Sequence, residues 1–254
     1  VEKPARYVGG EFNRMEKAYQ PGMLRMALAF PDTYEIGMSY LGYQILYNLL
    51  NEHPDIIAER AYTPWVDMEQ KLRSAGLPVV SQESATPLGD FDVIGFSLQY
   101  EMNYTNILTM LDLCHIPWRA EQRPAEAPLI IAGGPCATHP EPLAPFFDLF
   151  IIGDGEESLL QLLLRYRELK QAGYDKGASL LELAKMPGVY CPRIHPVKND
   201  PLTGQTVVMA VSQPEESAAI ERVWVRDISE FPFPTRPVVA SLEAVFNRCA
   251  LEIA

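Results

Sequence analysis

The sequence predicts a doubly wound α/β fold built on a five-stranded parallel sheet in the order 2-1-3-4-5, followed by a β-rich C-terminal extension. Two observations predict it. Five short apolar runs alternate with longer stretches whose apolar residues recur at helical spacing. Polar or glycine-bearing turns follow four of those runs, where such a sheet meets its ligands.

The first run, residues 24–30, is strand one. Residues 39–51 place Leu41, Ile45, Leu46 and Leu49 on one helical face, with Ser39 as the cap. Residues 56–62 form strand two. Pro64 then opens a helix presenting Trp65, Met68 and Leu72, and Gly76 ends it. Residues 93–98 are apolar throughout, which suits a central strand covered on both faces. A helix over 101–114 follows. Strand four, 129–132, breaks at Gly133-Gly134-Pro135, and strand five, 149–152, breaks at Gly153-Asp154-Gly155. The helix over 156–171 aligns Leu159, Leu162, Leu163 and Tyr166. This is a Rossmann-like, flavodoxin-like domain over residues 23–175, preceded by an N-terminal arm, 1–22. Residues 176–237 are read as an extension and linker. They hold a short helix at 180–186, a strand at 188–191, a β-hairpin of 194–198 and 205–211 around Asp200-Pro201, a strand at 223–225 and the stiff Phe231-Pro232-Phe233-Pro234. Residues 238–254 hold two strand starts, 238–241 and 249–254, and are expected to begin a further barrel.

Composition narrows the function. The chain has 254 residues, 48% of them hydrophobic, and a net charge of −12. It carries no dense Lys/Arg run, so direct nucleic-acid contact is not expected. Its four cysteines, Cys114, Cys136, Cys191 and Cys249, lie far apart. They suggest neither a disulfide framework nor a metal site. No apolar run reaches the ~20 residues of a membrane span. A cytoplasmic protein is expected.

The candidate ligand residues lie in four turns. Asp32-Thr33-Tyr34-Glu35-Ile36-Gly37 follows strand one, and Ser97-Leu98-Gln99 ends strand three. Gly133, Gly134 and Pro135 let backbone approach a bulky guest, and Gly153, Gly155 and Glu156 open the last long helix. Taken singly, each turn reads equally well as ordinary strand-to-helix punctuation, with acidic residues favouring a helix N-terminus. The pair Cys136 and His139 is too small a ligand set for a metal, and Ser97 lacks a G-x-S-x-G elbow. No catalytic residue and no metal ligand is assigned.

Together the motifs are more specific. G-G-P, then about twenty residues, then I-I-G-D-G-E-E opening a helix, resembles the cobalamin-binding-like N-terminal domain of radical S-adenosylmethionine enzymes. Asp32, Tyr34 and Gly37 fill that family's first-loop pattern, and Gly95-Phe96-Ser97-Leu98-Gln99 falls where it has a G-x-S-x-L-like turn beside the cofactor tail, with Gln99 at the Leu position. The flanks, Tyr7-Val8-Gly9-Gly10-Glu11 and residues 247–254, look like an uncharacterised bacterial subgroup. The resemblance implies a corrinoid seat rimmed by Asp32, Tyr34, Gly37, Ser97, Gln99, Gly133, Gly134, Pro135, Gly153, Gly155 and Glu156. It also implies a 4Fe–4S cluster and S-adenosylmethionine in a barrel absent from these residues, the chain alone not being catalytic. The barrel is the implied partner, and methyl transfer or oxidoreduction the implied chemistry. Tyr34 stands where the family's histidine would coordinate cobalt. Phenol is a poor ligand at neutral pH, because its pKa is about 10. Two readings follow: the domain holds a corrinoid without a nitrogen ligand, or it is a degenerate module that covers the barrel or docks a partner. A nucleotide or flavin site on the same edge is disfavoured by the missing G-x-G-x-x-G.

Overall fold

The computed structural model describes residues 1–195, 197–208, 220–227, 231, 234–243 and 245. The expected strands β1 (Leu24–Phe30), β2 (Ile56–Tyr62), β3 (Val93–Ser97), β4 (Leu129–Gly133) and β5 (Leu149–Ile151) are all present, parallel, in the order 2-1-3-4-5. A sixth strand, β6 (Val189–Tyr190), pairs antiparallel with β5. The sheet is therefore mixed rather than purely parallel, and its last strand comes from the segment read as an extension. A separate hairpin pairs β7 (Val197–Asn199) with β8 (Thr206–Val208). The expected continuation to residue 211, the centre of the Phe231–Pro234 connector and the strand start at 249–254 lie outside the described residues.

Strand alternation divides the core. Leu24, Met26, Leu28 and Phe30 of β1, with Ile131 of β4 and Ile151 of β5, face one side. There they meet α2 (Leu41–Glu52), α5 (Gly155–Gln171) and α6 (Lys176–Leu183). Ala27, Ala29, Ile94, Phe96, Ile130 and Phe150 face the other side, against α4 (Tyr104–Leu113) and, through Leu72, α3 (Val66–Ala75). Gly76 ends α3 in the left-handed region, as the sequence implies. The first loop differs from expectation. Residues 34–37 form a short helical turn, α1 (Tyr34–Gly37), and Ser39 bonds back to the Glu35 carbonyl instead of capping α2. Among the described residues no helix is long and apolar enough to cross a membrane.

β2 is an edge strand, and side chains occupy its open edge. The Asn51 amide both donates to and accepts from the Ala58 backbone, at 2.9 and 3.1 Å. Glu83 accepts the Arg60 amide at 2.7 Å, Gln82 donates to the Arg60 carbonyl, and Lys17 reaches the Ile56 carbonyl at 2.6 Å. A strand edge closed this way offers no template to another chain. Arg60 itself is buried, 1% exposed, with its Nε 2.6 Å from Glu83, its second guanidinium nitrogen 3.1 Å from Glu11, and its plane 4.9 Å over the Tyr47 ring. Removing that cation strands two buried carboxylates. We expect Arg60→Ala to cost about 3–5 kcal/mol in urea unfolding, whereas Arg73→Ala, which breaks exposed pairs to Glu69 and Asp112, should cost under about 1 kcal/mol.

The arm is held by a second ion pair. Arg6 grips the Glu35 carboxylate with bonds of 2.8 and 2.9 Å, and Lys3 adds a third at 3.1 Å. Burial opposes the Glu35 charge, but the Arg6 and Lys3 hydrogen bonds outweigh it and hold the carboxyl below its usual range. A depressed folded-state pKa contributes stability above the unfolded value and loses it as pH falls through the folded one. Limited proteolysis should find the arm protected at neutral pH and released only below about pH 4, under the ordinary glutamate pKa.

Candidate functional site

The carboxyl ends of β1, β3, β4 and β5 open onto a slot of about 190 Å³ between the sheet and helices α2 and α5. Met26, Leu28, Ile131 and Ile151 form its floor, and Tyr43, Leu46 and Leu159 its walls. Tyr43 is fixed by donating to the Leu28 carbonyl at 2.7 Å. The slot exists because β3 carries a glycine at mid-strand. A Cβ at Gly95 would lie 2.2 Å from the Met26 methyl and 3.3 Å from Ile131. Glycine inside a buried strand marks a close approach of this kind.

The rim is polar. Gln99 donates to the Ser97 hydroxyl at 2.8 Å. Gly133 and Gly134 follow β4, and Gly153, Asp154, Gly155 and Glu156 lead into α5. Asp154 and Glu156 suit the positive end of that helix. The Gly153 turn is pinned from outside. Its φ is +123°, and a Cβ there would meet the Val223 carbonyl at 2.0 Å. Val223 bridges Gly153 in parallel, its amide bonding the Ile152 carbonyl and its carbonyl accepting the Asp154 amide, both at 3.0 Å. The Asp154 carboxylate then accepts the Val225 amide at 2.8 Å and lies 3.3 Å from Arg222.

Seven of the eleven residues singled out in the sequence line this slot: Ser97, Gln99, Gly133, Gly134, Gly153, Gly155 and Glu156. Pro135 is exposed beyond the rim, at the start of a short turn, Pro135–Thr138. Asp32 stays at the sheet's carboxyl edge but accepts the Tyr100 hydroxyl and its neighbour's amide. Burial and that carboxylate push the Tyr100 phenol up to about 12. Gly37 lies under the Tyr62 ring, 2.4 Å from where its Cβ would be. Tyr34 turns into the core, 1% exposed and edge-on to Tyr62 at 5.3 Å. Its hydroxyl donates to Glu11 at 3.2 Å and accepts the Ser241 amide at 2.8 Å. Burial raises its pKa, so it is a neutral phenol.

The walls went unread in the sequence because Leu46 and Leu159 sit at ordinary core spacing. Gly42, on the slot's margin, carried no signal beyond being a glycine early in a helix. Gly95 was legible as a glycine within an otherwise apolar strand. His139 meets only the Thr138 hydroxyl among its hydrogen-bond partners here. Among the described residues no group of three or more His, Cys, Asp or Glu side chains is placed to share a metal ion.

Comparisons with known proteins bear on this geometry. An uncharacterized protein of Methanocaldococcus jannaschii is 28% identical over 168 residues, 65% of this chain and 31% of that protein. The chain thus spans about a third of this relative's length. A structure of TsrM, a radical S-adenosylmethionine methyltransferase from Kitasatospora setae with tryptophan substrate and a SAM analog bound, aligns over 70% of this chain and 29% of its own, with a TM-score of 0.40 and 14% identity. The family model described as radical SAM proteins, N-terminal, matches residues 42–192, which span α2 through β6 and every strand of the sheet except β1. The chain belongs to this family of radical SAM N-terminal domains.

Proposed function

We propose that the domain positions cobalamin for a radical SAM enzyme of which it is the N-terminal part. The carrying observation is the apolar slot cleared by Gly95 and opened by three glycine-bearing turns at one sheet edge. The residues fit part of such a cofactor. Pockets for whole small molecules usually exceed about 300 Å³, so a slot of about 190 Å³ suits one flat ring system of the tail and not the macrocycle. When bound, the corrinoid would supply methyl-transfer chemistry, the 4Fe–4S cluster and S-adenosylmethionine belonging to a separate barrel.

The chain's own residues orient and shield the guest. Leu28, Ile131 and Ile151 exclude water from the slot floor. Ser97 accepts from Gln99 and keeps its own proton to donate. Backbone at Gly133 and Gly153 forms a rim with no side chain to obstruct entry. Tyr34 is not offered as a cobalt ligand, since both functions of its hydroxyl are engaged in the core. That engagement favours a second reading, in which the module has lost the cofactor and acts as a cover or docking domain for the barrel.

Gly42 separates the two. It lines the slot, and a Cβ there would meet nothing within 4 Å. Gly42→Leu should therefore narrow the mouth without strain and raise helix stability by roughly 0.5–1 kcal/mol. After mixing with hydroxocobalamin and desalting, the native chain should keep the corrinoid's visible absorbance and Gly42→Leu should lose it with an undiminished Tm. A native chain that emerges colourless selects the degenerate module.

A further inference from the structure

The slot has one adjustable surface. Its walls are locked: Tyr43 by its bond to the Leu28 carbonyl, and Leu46 by contact with Gly155, whose Cβ would lie 3.3 Å from the leucine. Ile131 and Ile151 are β-branched and stiff at χ1, and they sit on hydrogen-bonded strands. Met26 differs. It is unbranched, with three rotatable bonds and a polarizable sulfur. Its terminal methyl fills the space over Gly95 that any larger residue would claim. It is 1% exposed, so that methyl is packed inside the slot's floor rather than trailing into solvent.

We infer that Met26 is the specificity-determining residue of the slot: a movable floor that swings off Gly95 to admit an uncharged planar heteroaromatic base of two fused rings, and then packs its thioether against the ring. The inference rests on the corrinoid reading for the source of the base. The class of guest follows from the lining, whose floor and walls are apolar and whose two charged side chains, Asp154 and Glu156, are both acidic and at the rim. A flat apolar ring fits that lining, while an anionic group at this depth would meet carboxylates and no cation. The depth available is set by Met26, because Gly95 has no side chain beneath it.

Methyl NMR tests this on the whole chain. The protein is labelled at the methionine methyls, the Met26 signal is assigned by its loss in Met26→Leu, and dimethylbenzimidazole is titrated in. The Met26 resonance should shift on binding while methyls remote from the slot do not. Met26→Ile, which puts a branched side chain over Gly95, should weaken dimethylbenzimidazole roughly tenfold, and Met26→Ala should bind at least as tightly as the native chain. If Met26→Ile fails a thermal-melt control, the native methyl shift decides alone. A saturating titration that leaves the Met26 methyl in place overturns the inference, as does a native chain that does not bind dimethylbenzimidazole. Retention of hydroxocobalamin with an unmoved Met26 methyl removes this inference and leaves the corrinoid reading standing. A Met26 shift with dimethylbenzimidazole, in a chain that does not retain hydroxocobalamin, does the reverse.

Discussion

A guanidinium buried at the edge of the sheet organises the first half of this molecule. Arg60 is shielded from water, and a cation so placed persists only where carboxylates neutralise it. Glu83 arrives from the loop after α3 and Glu11 from the N-terminal arm, while Tyr47 of α2 offers its ring face. Glu11 in turn takes the Tyr34 proton, and Tyr34 takes the Ser241 amide. One buried charge thereby links the arm, the edge strand, the first helix layer, the loop after β1 and a segment some two hundred residues later. The arm packs where it does because electroneutrality in the interior requires its glutamate.

The other half of the molecule answers to a different constraint, the space left by a missing side chain. Parallel strands buried on both faces are normally filled by branched residues, and β3 follows that rule except at Gly95. The vacancy falls on the face toward α2 and α5, near the ends of four strands, where the chain turns at Ser97, Gly133 and Gly153. Charge organises the β2 edge and steric absence organises the slot, and the two regions meet in β1, whose Met26 and Leu28 line the slot.

Much of the fold was legible because its signals are local. β2 has the bounds its apolar run implies, and α3 stops at Gly76 where the left-handed cap requires it. Strand order followed from the alternation of elements, which restricts a doubly wound sheet to few topologies. What was not legible depends on tertiary partners. Two residues, Val189 and Tyr190, cannot announce that they will pair with β5. Tyr34 looked like a rim residue because its spacing matched a ligand loop. Whether the helical turn aims its side chain outward or inward is decided by Tyr62, Glu11 and Ser241, far away in sequence. The glycine turns were readable as positions, but their convergence on one slot depends on sheet register.

The pinning of Gly153 by Val223 carries a consequence for the architecture of the chain. Residues 222–225 lie beyond the stretch matched by the family, 42–192, yet they set the backbone of the turn that leads into α5. The rim is thus a two-piece structure, half supplied by the shared fold and half by sequence outside it. A fragment ending after β6 would keep the hydrophobic layers and lose the brace, leaving the Asp154 carboxylate without its Val225 amide. Proteins that share the fold can in this way differ at the ligand edge through a short downstream splint, with no change in the sheet.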